Sequence, residues 1–278
     1  MVVAMATFAL EDSVIKLVSS VLPVGQILFL LGVGGALAFT GLGLIFKKEV
    51  FSTGFFSWPM NSRVVSEVTG RVFYSSALAL TPLSSSTIIL QATPLVVVVG
   101  AAVSFKESVS AIRWGAVILG FFGVAIIVDP SSDSFSFLSV LAVLGMLGFA
   151  CRDLASRAVP KTLNIFALGF HGFLSIALSG IILQLFNNEP ILWPDIGSWF
   201  FLLIGVVLGT IGYSALISAM RMGEVSAITP FRYSRIIFGV VIGVFFFEEK
   251  VTLTAALGCG LILLSSFIVL QPIGRSRN

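Results

Sequence analysis

Long apolar runs, interrupted about every 20 residues by proline, glycine or a small charge cluster, fill the chain from one end to the other. A helix needs about 20 apolar residues to cross the hydrocarbon of a bilayer. The interruptions therefore predict ten spanning helices, over roughly 2–20, 24–46, 64–81, 84–104, 111–128, 135–157, 163–186, 197–220, 225–247 and 251–270. The loops between them are too short for a separate soluble domain. Two longer stretches, 47–62 with Trp58-Pro59 and 187–198 with Trp193-Pro194, are expected at the membrane surface, because Trp favours the headgroup level.

Composition supports that reading. Of 278 residues, 57% are hydrophobic and only 10% charged, whereas a soluble domain carries about 25% charge. One core of this size cannot enclose so much apolar surface, so most of it must face lipid or other apolar helices. The expected fold class is an all-α integral membrane protein with the lipid bilayer as its surroundings.

The net charge is +3, yet no basic run exceeds Lys47-Lys48, so nucleic acid is not an expected partner. The basic residues read instead as topology signals. With the N-terminus in the cytoplasm, Lys47, Lys48, Arg63, Lys106, Arg113, Arg157, Lys161, Arg221, Arg275 and Arg277 fall at cytoplasmic ends, and Lys16 and Lys250 at the other side. The expectation is a multi-pass protein with both termini cytoplasmic. The first segment carries Glu11, Asp12 and Lys16 and has no basic lead, so it is expected to stay in the mature protein.

The two halves of the sequence echo one another. Phe8-Ala9-x-x-Asp12-x-x-x-Lys16 recurs as Phe149-Ala150-x-x-Asp153-x-x-x-Arg157, an offset of 141 residues. Phe105-x-Glu107 matches Phe247-x-Glu249, and Ser84-x-x-Thr87 matches Ser226-x-x-Thr229, both at 142. Residues 1–130 and 131–278 are therefore expected to be two five-helix repeats forming one transport domain. An odd number of spans per repeat inverts the second half in the membrane, the plan of many secondary transporters, whose solute site lies where the repeats meet.

An ionisable group at the bilayer centre costs at least ~2.5–3.5 kcal/mol on insertion scales, so each needs a partner, a cavity or a task. Asp12 and Lys16, Glu67 and Arg71, and Asp153 and Arg157 are acid-first pairs at i, i+4 and are expected to neutralise one another locally, the first and last as structural ion pairs. Glu11 and Arg152 occupy equivalent repeat positions with opposite charge and are candidates to pair across the halves or to give the cavity a polar axis.

Arg232 and Arg235, at i, i+3 around Tyr233, are expected to share one helix face and to hold a carboxylate or phosphate or act in gating, with purely structural pairing as the alternative. Glu67, Gly70, Arg71 and Tyr74 form a polar stripe that should face a cavity. Gln91 and Tyr213, with Tyr233, complete a set of aromatic and hydrogen-bonding groups suited to a planar polar solute. The candidate substrate-binding residues are thus Arg232, Arg235, Tyr233, Arg71, Glu67, Tyr74, Gln91, Tyr213, Arg152 and Glu11.

Little else in the chain carries chemistry. Cys151 and Cys259 read as small packing residues, and the single His171 offers neither a multi-histidine metal site nor a Ser-His arrangement. There is no GxxxxGK[ST] loop for ATP. No cofactor, no metal and no catalytic residue is expected, and the alternative of a membrane-embedded transferase is disfavoured.

The sequence resembles the EamA-type bacterial carriers of the drug/metabolite transporter superfamily. The likeness rests on Ala79-Leu80-Thr81-Pro82-Leu83 leading into Thr87 to Pro94, on Phe105-x-Glu107, and in the second half on Gly223-Glu224-Val225-Ser226, Thr229-Pro230-Phe231-Arg232-Tyr233 and Phe247-Glu248-Glu249. The resemblance implies ten helices in two repeats, a bacterial inner-membrane location, and a central cavity lined by the third, fourth, eighth and ninth spans. It also implies a small-molecule substrate of the amino-acid, nucleoside, riboflavin or S-adenosylmethionine kind, with a broad-specificity exporter as the alternative. A monomer or weak dimer is expected.

Overall fold

The computed structural model describes residues 1–50, 57–104, 111–128, 137–157, 163–222 and 229–270. Among them the secondary structure is helical, with no strand. The helices are α1 (Val2–Val18), α2 (Val24–Ile45), α3 (Trp58–Leu80), α4 (Leu83–Leu90), α5 (Thr93–Ser104), α6 (Ala111–Val128), α7 (Phe137–Arg157), α8 (Ile165–Asn187) and α9 (Ile196–Met222). A 3₁₀ segment, Thr229–Tyr233, then leads into α10 (Ser234–Phe247), and α11 (Leu253–Leu270) follows.

Among the described residues, five stretches are long and apolar enough to cross a membrane: Val24–Ile45, Leu83–Gly100, Leu138–Ser156, Ile165–Asn187 and Ile196–Ala219. Trp114–Ile126 and Leu253–Ser265 are shorter apolar helices. Large apolar side chains such as Leu44, Phe186, Phe245 and Leu253 point outward, while Glu11, Asp12, Glu67 and Arg71 are buried. That inside-out distribution suits a hydrocarbon surrounding and makes the chain a multi-pass membrane protein.

Local chemistry places three helix boundaries away from the expected ones. The third helix starts at Trp58, within the stretch expected to be a loop, because Pro59 sits in its first turn, where its missing N–H is not needed. The expected fourth span is broken at Gln91–Ala92 into α4 and α5. Pro94 cannot donate to the carbonyl of Leu90, which accepts a hydrogen bond from the Thr93 hydroxyl instead. The expected ninth helix opens with the tighter 3₁₀ turn around Pro230. The two irregular places touch, since Gln91 Nε2 donates to the Arg232 carbonyl at 2.8 Å.

The helices pack chiefly as α2 with α8, α3 with α7, α6 with α11, and α1 with α9. Glycine permits the closest crossings. A Cβ on Gly180 would lie 2.5 Å from the Gly25 carbonyl oxygen, and one on Gly148 would lie 2.5 Å from the Gly70 Cα. Backbone thus meets backbone between α2 and α8 and between α3 and α7. Each of these four pairs joins one helix from residues 1–130 with one from 131–278.

Candidate functional site

Several of the polar residues buried among these helices line one cavity of about 60 Å³. Its wall includes Glu11 from α1, Glu67, Arg71 and Tyr74 from α3, Gln91 at the α4–α5 break, Arg152 from α7, Tyr213 from α9, Arg232 from the 3₁₀ turn and Arg235 from α10. Nine of the ten residues singled out from the sequence therefore share one cavity. Tyr233 is outside this lining, although it adjoins Arg232. The space takes a few water molecules, so a metabolite requires the walls to part.

The charge pairing differs from the sequence expectation. Glu67 is paired with Arg63, at 3.3 Å, and with Arg152, at 3.4 Å, rather than with Arg71. Arg63 and Arg71 both flank Glu67 at four residues along α3, and the neighbouring α7 adds Arg152 as a further partner. Arg63 itself, expected at a cytoplasmic end, is buried, and it donates to the Tyr213 hydroxyl and, at 3.1 Å, to Ser156 Oγ.

Asp12 is paired with Arg235 rather than Lys16, and accepts from the Tyr74 hydroxyl at 3.1 Å. Lys16 reaches across to the Thr81 carbonyl, at 2.6 Å, and to Glu249, at 3.8 Å. Asp153 holds Arg152 at 2.8 Å and Arg232 at 3.2 Å, while the Arg157 side chain lies outside the described residues. Helix packing offers these carboxylates cations from neighbouring elements: Arg232 makes two bonds to Asp153, and Arg235 makes one to Asp12.

Two further expectations are corrected. Arg152 does not pair with Glu11, since its guanidinium is taken by Asp153 and Glu67. Arg232 and Arg235 do not form a vacant anion clamp on one helix face. The first belongs to the 3₁₀ turn and holds Asp153, and the second belongs to α10 and holds Asp12.

Aromatic faces surround the cations. Arg152 lies 4.9 Å from the Phe149 ring centroid and Arg71 5.8 Å from the same ring, while Arg235 lies over Phe8 and Tyr74. Such contacts stabilise guanidiniums in an apolar setting. Gly209 lets α9 approach Glu11, because a Cβ there would stand 3.2 Å from the Glu11 carboxyl carbon. His171 is buried on α8 and lies edge-on to Phe170. Among the described residues no group of His, Cys, Asp and Glu is arranged to hold a metal ion.

Sequence reasoning missed a second polar cluster. Glu249, just beyond α10, accepts from the Leu83 amide at 2.6 Å, the Ser84 amide at 3.0 Å and the Ser84 hydroxyl at 2.8 Å. The carboxylate caps α4, satisfying backbone donors that the start of a helix leaves open. Glu248 before it adopts a left-handed conformation, φ 52°, which turns the chain back toward α4. Glu249 and Ser84 both stood out in the repeat, but their contact joins non-equivalent positions and so left no mark at a fixed offset.

Charged groups around a cavity among membrane-spanning helices are what a solute path requires. Residues 137–271 match the EamA-like transporter family. Similar proteins include a riboflavin transporter of Vibrio cholerae, 25% identical over 83% of this chain and 77% of its own length. An S-adenosylmethionine uptake transporter of Rickettsia conorii is 22% identical over 75% of this chain and 70% of its own. A riboflavin transporter of Rhizobium johnstonii is 25% identical over 80% and 74%. One solved crystal structure superposes on 96% of this chain and 95% of its own with a TM-score of 0.66 and 18% identity, a likeness of fold. Residues 137–271 are thus EamA-like, and the similar proteins are named as transporters of small metabolites.

Proposed function

We infer that the chain is a secondary carrier that moves a small polar organic metabolite across the bacterial cytoplasmic membrane by alternating access, with both termini in the cytoplasm. Residues 1–130 and 131–278 act as two inverted repeats of one transport domain. The solute binds in the central cavity, against Glu11, Glu67, Arg71, Tyr74, Gln91, Arg152, Tyr213, Arg232 and Arg235, with Tyr233 supporting Arg232 from the adjoining position.

The observation that carries this reading is the cavity itself: buried charges drawn from α1, α3, α7 and α10 surround a space enclosed by apolar helices. Buried charge in such a place is costly and marks a solute or ion path by default. The volume also favours alternation, since a space for a few waters admits a metabolite only after a rearrangement. The cap of Glu249 on α4, joined by Lys16, supplies a closure that such a rearrangement would break.

Uptake into liposomes tests the proposal. Radiolabelled S-adenosylmethionine, amino acids, nucleosides and riboflavin are offered to reconstituted protein, with and without unlabelled solute inside. Saturable entry that accelerates with internal solute is the expected result. Flux that rises linearly with concentration and ignores internal solute would mark a channel and overturn the carrier reading.

A further inference from the structure

The carboxylates Asp12, Glu67 and Asp153 each have a guanidinium within salt-bridge distance. Glu11 and Arg71 differ. Among the described residues neither has an oppositely charged group within that distance, although both line the cavity. Glu11 is 2% exposed, and its Oε1 is buried without a hydrogen-bond partner. Arg71 is also buried, and its Nε has no partner. Its guanidinium lies over the face of Phe149.

The cavity lining thus includes one carboxyl and one guanidinium that, among the described residues, stand beyond salt-bridge distance of any opposite charge. A neutral solute leaves both uncompensated, and burial of an unpaired ion is expensive. A simple anion or a simple cation satisfies one and leaves the other.

We propose that Glu11 and Arg71 are the two poles of a zwitterion site, with Arg71 binding the carboxylate and Glu11 the ammonium of an α-amino-acid head group. This rests on the carrier reading above and narrows its substrate class. A guanidinium presents paired donors to a carboxylate, and a buried carboxylate accepts from an ammonium. The remainder of the solute lies along the aromatic wall of Phe8, Tyr74 and Phe149. Between the solutes named for the similar transporters, S-adenosylmethionine carries this head group and riboflavin does not.

The test is binding to the full-length protein in lipid nanodiscs. The probes are S-adenosylmethionine, a set of natural α-amino acids, riboflavin, and the decarboxylated and deaminated forms of whichever zwitterion binds. Loss of either charged group is expected to weaken binding about 10- to 100-fold, the range for a hydrogen bond to an ion. Arg71→Gln should erase the preference for the intact solute over its decarboxylated form, and Arg71→Lys should keep it. Glu11→Gln should erase the preference over the deaminated form alone. These are differences between ligands on one variant, which a general loss of folding does not produce. Should riboflavin bind and no zwitterion do so, or should the truncated solutes bind as tightly as the intact one, the zwitterion site is overturned and the carrier reading stands. Should saturable transport of every solute fail in liposomes, the carrier reading itself falls.

Discussion

The Glu249 carboxylate, from the second half of the chain, accepts a hydrogen bond from the backbone amide of Leu83 in the first, with 2.6 Å between Oε1 and the nitrogen. The same carboxylate takes the Ser84 amide and hydroxyl, and Lys16 stands 3.8 Å away. One side chain thereby ties α1, α4 and α10 together at a single end of the bundle.

Removing that tie should loosen this end. With Cys151 and Cys259 replaced, a cysteine introduced by Ser84→Cys is expected to react slowly with a membrane-impermeant thiol reagent. Adding Glu249→Ala should speed the reaction about 10-fold, the worth of one charge-assisted hydrogen bond. Equal rates would show that Glu249 does not hold the end closed.

Asp12 and Arg235 make a second, independent prediction. The Asp12 side chain is 1% exposed. Arg235→Gln leaves its carboxylate buried without a cation, and breaking a buried pair costs about 3–5 kcal/mol. Thermal unfolding in detergent should therefore fall well below wild type, and Asp12→Asn in the same chain should restore much of the loss. A double variant as unstable as the single one would mean that the pair contributes through something other than charge.

Glycine crossings offer a contrast of space alone. Gly148→Ala brings a Cβ to 2.5 Å of the Gly70 Cα, where no flexible side chain can give way. Overpacking of that kind costs about 1–3 kcal/mol. Gly41→Ala meets nothing within 4 Å and should gain about 0.5–1 kcal/mol from helix propensity. Unfolding curves of the two variants should shift in opposite directions.

Asp195 gives a pH-dependent expectation at the membrane surface. Its carboxylate accepts from the Ser198 amide at 3.0 Å at the start of α9, and bonding to Ser198 holds its pKa below the ordinary 3.8. A depressed carboxylate contributes its cap above the unfolded-state pKa and loses it as pH falls through the lower, folded-state value. Exchange of the Ser198 amide, corrected for its intrinsic rate, should accelerate in that acidic window. Asp195→Asn should remove most of the acceleration.

Much of this was legible in the sequence because burial and hydropathy obey simple rules. Apolar runs locate the helices, and ionisable residues inside those runs have few places to go, so Glu11, Glu67, Arg71, Arg152, Arg232 and Arg235 meet in one cavity. Their partners were not legible. Spacing along one helix allows Glu67 to pair with Arg63 or Arg71 and says nothing of Arg152, which comes from α7. The order rule for isolated helices favours Glu67 with Arg71, but the packed structure places Arg63 and Arg152 against it instead. Asp12 and Arg235 are 223 residues apart, a separation at which only the fold brings charges together. The break at Gln91 depends on how the Leu90 carbonyl is satisfied, which hydropathy does not record.

The glycine crossings also bear on how the chain is made. Helix α2 finds its closest partner in α8, α3 in α7, and α6 in α11, where a Cβ on Gly123 would stand 2.8 Å from the Gly258 carbonyl oxygen. The small-residue grooves of the first helices are therefore filled by helices synthesised much later. A ribosome that has delivered α1 to α6 has placed in the membrane a set of surfaces with no mates. Those surfaces must wait beside lipid, or beside a membrane chaperone, until α7 to α11 arrive. The close crossings of α2, α3 and α6 thus cannot form until α8, α7 and α11 have been made.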